Sequence, residues 1–255
     1  MESKNGIIYA VGIGPGKKEY MTDEAIEAIE KADVVVAYST YAKQIAAAFP
    51  NKKLEASGMR QEEDRVDQAI SLAEEGKRVC LVSSGDAGVY GMAGLLFSKV
   101  CNRNKIEIKV VAGVTAASSG AARLGAPLAN DFCVISLSDI LTPWGIIEKR
   151  LGAAAEGGFV IVLYNAGSKA RHEHLRRAVE IIAPYREAGT VCGIARKIGR
   201  DGEEIRLLSF KELADAPVDM ETTVFIGNED TQRIGDHMIT LRGYAAEKQS
   251  NGNNA

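Results

Sequence analysis

Through the first half of the chain, apolar runs of strand length alternate with helix-period segments, and few folds accept that order. GIIYAVG (6–12), ADVVVAY (32–38), VCLV (79–82) and IEIKVV (106–111) are short and rich in β-branched residues. Between them lie amphipathic stretches. Met21 to Ala25 opens a helix with Thr22 as candidate N-cap and Ala25, Ile26 and Ile29 on one face. Tyr41 to Phe49 and Met92 to Cys101 read as helices. Gln61 to Glu75 carries an apolar stripe of Val66, Ile70 and Ala73 and stops at Gly76, as a C-cap glycine should. Glu55 to Arg60 reads as a turn. Strands alternating with helices at this spacing imply a mainly parallel sheet.

Ligands of such sheets bind in loops that leave the C-terminal ends of strands. Three such loops are rich in glycine and small residues. Gly12-Ile13-Gly14-Pro15-Gly16 disfavours a dinucleotide, because proline removes an N–H that a phosphate cradle needs. Ser83-Ser84-Gly85-Asp86-Ala87-Gly88-Val89-Tyr90-Gly91 sets one carboxylate among small residues that let a ligand approach the backbone. Ala112-Gly113-Val114-Thr115-Ala116 opens a small-residue helix, whose first N–H groups are free to donate. The alternatives are a tight turn for the second loop and a plain cap at Thr115 for the third.

The pattern then changes. Strands are expected at 131–137, 159–164 and 222–227, and helices at 143–155 (with Pro143 as its first residue), 171–183 and 210–214. The runs 190–197 and 203–209 form an antiparallel pair across the turn 198–202. The expected organisation is an N-terminal α/β domain (1–114) with a mainly parallel sheet, a C-terminal α/β domain (115–244) with a mixed sheet, and a disordered tail (245–255).

Composition narrows the function. A net charge of −3 gives no basic footprint for nucleic acid. No apolar run reaches the roughly 18 residues of a membrane span, and the start of the chain does not read as a signal peptide; a cytoplasmic location is expected. Cys80, Cys101, Cys133 and Cys192 form no CxxC pair, so buried free thiols are expected for the three in apolar runs, and no structural metal. His172, His174 and His237 read as surface or satisfied side chains.

GIGPG, SSGDAGVYGMAG, GVTAASS and ISLSDILTPW, with RLGAPLANDF, LYNAGSKAR, DMETTVFIGN and ITLRGY, resemble the tetrapyrrole (precorrin) methyltransferase family over about residues 6 to 244. The resemblance implies two α/β domains with S-adenosylmethionine in a cleft between them, and a homodimer. It also implies methyl transfer to C17 of precorrin-3B or cobalt-factor III, with ring contraction, in cobalamin biosynthesis. Its cofactor positions fall on Pro15, Gly85, Asp86, Val89, Tyr90, Thr115, Ala116, Tyr164, Asn165, Ala195, Thr222 and Thr223. Ala112 and Ala166 stand where the family commonly has proline.

Methyl transfer from a sulfonium needs positioning rather than a protein nucleophile. Asp86 is placed either near the donor's amino group or sugar, or as an acceptor within its own loop. The substrate ring carries many carboxylates, so Arg60, Lys169 and Arg171, with Arg196 or Arg200, are candidate cations for it. Ring contraction requires proton transfer, for which Ser136, Ser138 and Asp139 are candidates; Asp139 has an alternative role as a helix cap. Trp144 and Met92 are expected in the core. Competing readings are a sister enzyme acting at another ring carbon or on a protein histidine, and a non-catalytic S-adenosylmethionine-binding module.

Overall fold

The computed structural model describes residues 6–59, 61–101, 106–168 and 173–243. Arg60, Lys169, Arg171, His172 and the tail 245–255 lie outside the described residues. The chain separates into two compact units, Met1–Ala116 and Ala117–Ala255.

The first unit runs β1 (Gly6–Gly12), α1 (Asp23–Lys31), β2 (Val34–Tyr38), α2 (Ser39–Ala48), β3 (Leu54–Ser57), α3 (Glu62–Glu74), β4 (Arg78–Ser83), α4 (Ala93–Val100) and β5 (Ile106–Val111). Its sheet has the order β3-β2-β4-β1-β5, with every pair parallel. Side chains alternate between the two faces of a strand, and both faces are covered. Val34, Val36, Val79 and Leu81 pack with Val66 and Ile70 of α3 and Leu96 of α4. Val35, Ala37, Cys80 and Val82 pack with Ala25 and Ile29 of α1 and Ile45 of α2. Burial on both faces explains why these strands read as continuous apolar runs. Thr22 caps α1, its Oγ1 accepting from Ala25 N at 3.1 Å.

The segment expected as a turn is in part a strand: β3 pairs with β2 from Leu54 to Ser57. Leu-Glu-Ala-Ser has weak strand propensity, and pairing along an open sheet edge decides its conformation.

After α5 (Ala116–Leu124), the second unit contains β6 (Gly125–Ala126), β7 (Phe132–Ser136), α6 (Trp144–Glu156), β8 (Val160–Tyr164), α7 (His174–Ile182), β9 (Val191–Arg196), β10 (Glu204–Ser209), α8 (Phe210–Leu213), β11 (Thr222–Ile226), β12 (Thr231–Ile234) and β13 (His237–Thr240). Its main sheet, β10-β9-β11-β8-β7, is mixed: β7 and β8 are parallel and the other pairs antiparallel. One face packs Ile161, Leu163, Ile194 and Val224 against α6, α7 and α8. On the other face α5 lies close enough that a Cβ on Gly120 would stand 2.8 Å from the Phe225 ring. Pro143 is the N-cap of α6, not its first residue, and the helix begins at Trp144.

A three-stranded sheet, β12-β13-β6, was not expected. Its strands are short and half polar, so periodicity is weak. The signal present in the sequence was Gly235-Asp236 between them, a hairpin dipeptide in which Gly235 has φ +60°.

Candidate active site

In the first unit the three glycine loops meet at the C-terminal edge of the parallel sheet. Gly14 and Gly85 exchange both backbone hydrogen bonds, at 3.0 and 2.8 Å. A Cβ on Gly12 would stand 2.6 Å from Gly85 O, and one on Gly113 only 2.1 Å from it. The glycines at 12 and 113 are therefore required by backbone packing. Gly85 has φ +65°, a conformation that suits glycine, and its Cβ position lies 3.6 Å from Thr115 Cα. These contacts bring Gly85, Thr115 and Ala116 together, with Pro15 buried beside Gly14.

Asp86 organises this cluster. Its Oδ1 accepts from Gly88 N at 2.7 Å and Val89 N at 3.1 Å, and its Oδ2 accepts from Gly113 N at 2.9 Å. Both oxygens thus serve the loops, which matches the loop-acceptor alternative. Beyond Asp86 the loop turns outward. Val89 and Tyr90 are exposed, Tyr90 to 57%, and Tyr90 has φ +53°. Ser83 Oγ then accepts from Met92 N at 3.2 Å and leads the chain into α4.

The second unit gathers its own candidates along one sheet edge. Ser136 is opposite Tyr164, Thr222 opposite Arg196 and Thr223 opposite Ala195. This register places Ser136, Tyr164, Ala195, Thr222 and Thr223 at the same ends of neighbouring strands. Tyr164 Oη accepts from Ala117 N, at the start of α5, at 2.6 Å. Asn165 has φ +56°, and its Nδ2 donates to Ser136 Oγ at 2.8 Å. Ser136 Oγ also accepts from Ser138 N at 3.2 Å, which starts the loop toward Asp139. Thr222 Oγ1 donates to Asp219 Oδ1 at 2.7 Å, and Thr222 and Thr223 are both buried.

Asp139 has a neighbour that periodicity did not point to. His174, the first residue of α7, is 8% exposed, and its Nε2 lies 3.0 Å from Asp139 Oδ2. The two are close enough to pair when the ring is charged, but they are not aligned as a hydrogen bond. His174 is thus not a surface residue, and its ring packs edge-on to Trp144 with centroids 4.9 Å apart. Arg177 covers a face of Trp144 at 4.1 Å. Spacing could not join Asp139 to His174, because the two follow different strands.

Two of the expected substrate cations are engaged elsewhere. Arg196 pairs with Asp219 at 2.8 Å and Glu204 at 3.1 Å, and Arg200 with Glu221 at 3.4 Å. Among the described residues, no group of His, Cys, Asp and Glu could hold a metal ion. The four cysteines are free. Burial pushes the Cys80 and Cys192 thiols up to about 12 and Cys133 up to about 11. Among the described residues, no helix is long and apolar enough to cross a membrane.

Comparison with known proteins agrees with this architecture. The family described as Tetrapyrrole (Corrin/Porphyrin) Methylases matches residues 7–214. The probable cobalt-factor III C(17)-methyltransferase of Salmonella typhimurium is 45% identical over 239 residues, 93% of this chain and 99% of that protein. The precorrin-3B C(17)-methyltransferase of Sinorhizobium sp is 40% identical over 253 residues, 96% of this chain and 99% of that protein. Some other relatives are longer, and the chain spans about half of their length. The crystal structure of the methyltransferase CobJ matches with a TM-score of 0.85 at 37% identity, covering 93% of this chain and 100% of that one. On the family match and on identity at this level over whole chains, the protein belongs to the tetrapyrrole (corrin/porphyrin) methylase family.

Proposed function

We propose that the protein is an S-adenosylmethionine-dependent methyltransferase that methylates C17 of precorrin-3B or cobalt-factor III, with ring contraction, in cobalamin biosynthesis. One observation carries the residue assignment. Three non-glycine residues among those described have a left-handed backbone, Tyr90, Asn165 and Lys197, and two of these stand in the proposed donor set. Such strain persists where the surrounding structure enforces it, and it clusters at functional sites.

The loops fit a donor of this kind. Small residues from Ser83 to Gly88 let the three loops close on one another at the strand ends, where Gly12 and Gly113 leave no room for a side chain and Gly85 adopts φ +65°. Pro15, Val89, Tyr90, Thr115 and Ala116 in the first unit, and Tyr164, Asn165, Ala195, Thr222 and Thr223 in the second, complete the proposed set. Asp86 contributes by fixing the loops. When bound, the donor supplies an electrophilic methyl group on a sulfonium. The chain's part is to hold the acceptor carbon in line with it.

A methyl group arriving as a cation equivalent is balanced by a proton leaving the ring. Asp139, with a side chain 36% exposed and His174 behind it, is the proposed acceptor of that proton, and Ser136 fixes the start of its loop through Asn165 and Ser138. The proposed assembly is a homodimer.

The deciding experiment incubates each ring, metal-free and cobalt-loaded, with the protein and donor and follows product mass. A gain of one methyl group with loss of one proton on either ring is expected, and the faster ring identifies the substrate. No mass gain on either ring sinks the assignment. Asp139→Asn should lower kcat by about a hundredfold, within the usual range for a general base, with affinity for S-adenosylhomocysteine unchanged.

A further inference from the structure

Arg65 is an anomaly of the first unit. It lies in the first turns of α3 and is 3% exposed. Its Nε donates to Ser57 Oγ and its Nη2 to Gly58 O, both at 2.8 Å, while its Nη1 reaches Met92 Sδ at 3.5 Å. A thioether is a weak acceptor, and a guanidinium carries more N–H donors than these partners take up. Among the described residues no carboxylate forms an ion pair with it. Burial pushes its pKa below the ordinary guanidinium value, against the opposing pull of Glu62, Tyr41 and Tyr38. Buried charges are normally paired, because desolvation is otherwise uncompensated.

The position supplies a reason. Tyr38 ends β2 and Ser57 ends β3, and Met92 follows the loop that leaves β4. Arg65 therefore sits beneath the same C-terminal sheet edge at which the glycine loops meet, the side on which open α/β sheets take ligands. The Tyr38 ring lies 5.8 Å from the guanidinium carbon, and Tyr41 stands edge-on to Tyr38 at 5.3 Å. Both rings are half-buried, and Met59, next to Gly58, is 69% exposed. A planar guanidinium set among Ser57, Gly58, Met92 and the Tyr38 ring suits a carboxylate on a flexible arm, which it can hold through two parallel N–H donors.

We propose that Arg65 is an anchor for one carboxylate arm of the ring substrate. This rests on the polycarboxylate-ring reading above and adds a binding residue that sequence reasoning passed over, having read α3 by its apolar stripe. A purely structural alternative has Arg65 tying Ser57 and Gly58 to α3, and the two roles separate experimentally. A structural tie moves stability, whereas an anchor moves affinity for the ring.

The test titrates uroporphyrin, a porphyrin whose every side chain ends in a carboxylate, into wild type, Arg65→Met and Arg65→Lys by fluorescence. S-adenosylhomocysteine titration and thermal melts run in parallel. Arg65→Met should weaken uroporphyrin about tenfold or more, as expected for a lost charge-assisted pair, with S-adenosylhomocysteine affinity kept within about twofold. Arg65→Lys keeps the charge but loses the bidentate fork, and should weaken uroporphyrin about threefold or more. If Arg65→Met fails to fold, Arg65→Lys decides alone. Unchanged uroporphyrin affinity in every folded variant overturns the anchor. A wild type that binds no uroporphyrin overturns the polycarboxylate-ring reading instead, and the anchor with it.

Discussion

Asp86 and Gly113 lie 27 residues apart in sequence, and the Asp86 carboxylate accepts the Gly113 N–H at 2.9 Å, joining the loop after β4 to the loop after β5. The other Asp86 oxygen holds Gly88 and Val89. An asparagine there has one acceptor oxygen and cannot serve both loops. Asp86→Asn should therefore lower stability by about 1.5–3 kcal/mol, the usual worth of hydrogen bonds to a charged group, and weaken S-adenosylhomocysteine. Urea unfolding and calorimetry read the two effects. Wild-type values in both would contradict the role assigned to this carboxylate.

Gly113 should tolerate no side chain. The added methyl of Gly113→Ala would stand 2.1 Å from Gly85 O and 2.6 Å from Gly12 C, both immovable backbone. A loss of about 1–3 kcal/mol is expected from overpacking, with donor affinity falling as the loops separate. Gly152→Ala is the control. It lies within α6 with nothing within 4 Å of the new methyl, so it should gain about 0.5–1 kcal/mol from helix propensity. Thermal melts of the two variants should move in opposite directions.

Asn165 combines a left-handed backbone with a side-chain bond to Ser136. Asn165→Ala loses the bond and meets steric cost at φ +56°, together about 1.5–3 kcal/mol. Asn165→Gly loses only the bond, so it should be the more stable variant by about 1 kcal/mol. If alanine proves as stable as glycine, the conformation is not under strain.

Asp219 sets a pH dependence. Burial pushes its carboxyl up, but the Thr222 hydroxyl, the Arg196 guanidinium and the Glu221 N–H outweigh burial and hold it below the usual carboxylate range. A depressed folded pKa contributes stability that is present above the unfolded value near about 3.9 and is lost as pH falls through the folded value. Asp219→Asn should therefore destabilise at neutral pH, with the gap to wild type closing in acid. Denaturation midpoints across an acid series test this, and a gap independent of pH would refute it.

Thiol reactivity should follow burial. Cys101 is exposed, whereas Cys80 and Cys192 are buried with thiols raised to about 12. In the native protein, an alkylating reagent at mildly alkaline pH should label Cys101 first and leave Cys80 and Cys192 unmodified until the protein unfolds. Peptide mass mapping reads the order, and early labelling of Cys192 would be incompatible with the fold of the second unit.

The sequence by itself determined the alternation of elements in the first unit. Runs such as VVVAY need two apolar covers, and the intervening stripes such as Val66, Ile70 and Ala73 supply them. It also determined the glycine loops, because backbone can approach backbone only where there is no Cβ. Tertiary structure decided what local pattern leaves open. It made Leu54–Ser57 a strand through an available sheet edge, and it paired the half-polar β12 and β13. It turned Asp86 inward to the loops, seated His174 beside Asp139 and buried Arg65 with no ion-paired carboxylate among the described residues. Each of these joins or separates residues on different strands and helices. Periodicity reports which face of its own element a residue occupies, and only the packing of whole elements sets which distant side chain, or which empty space, that face meets.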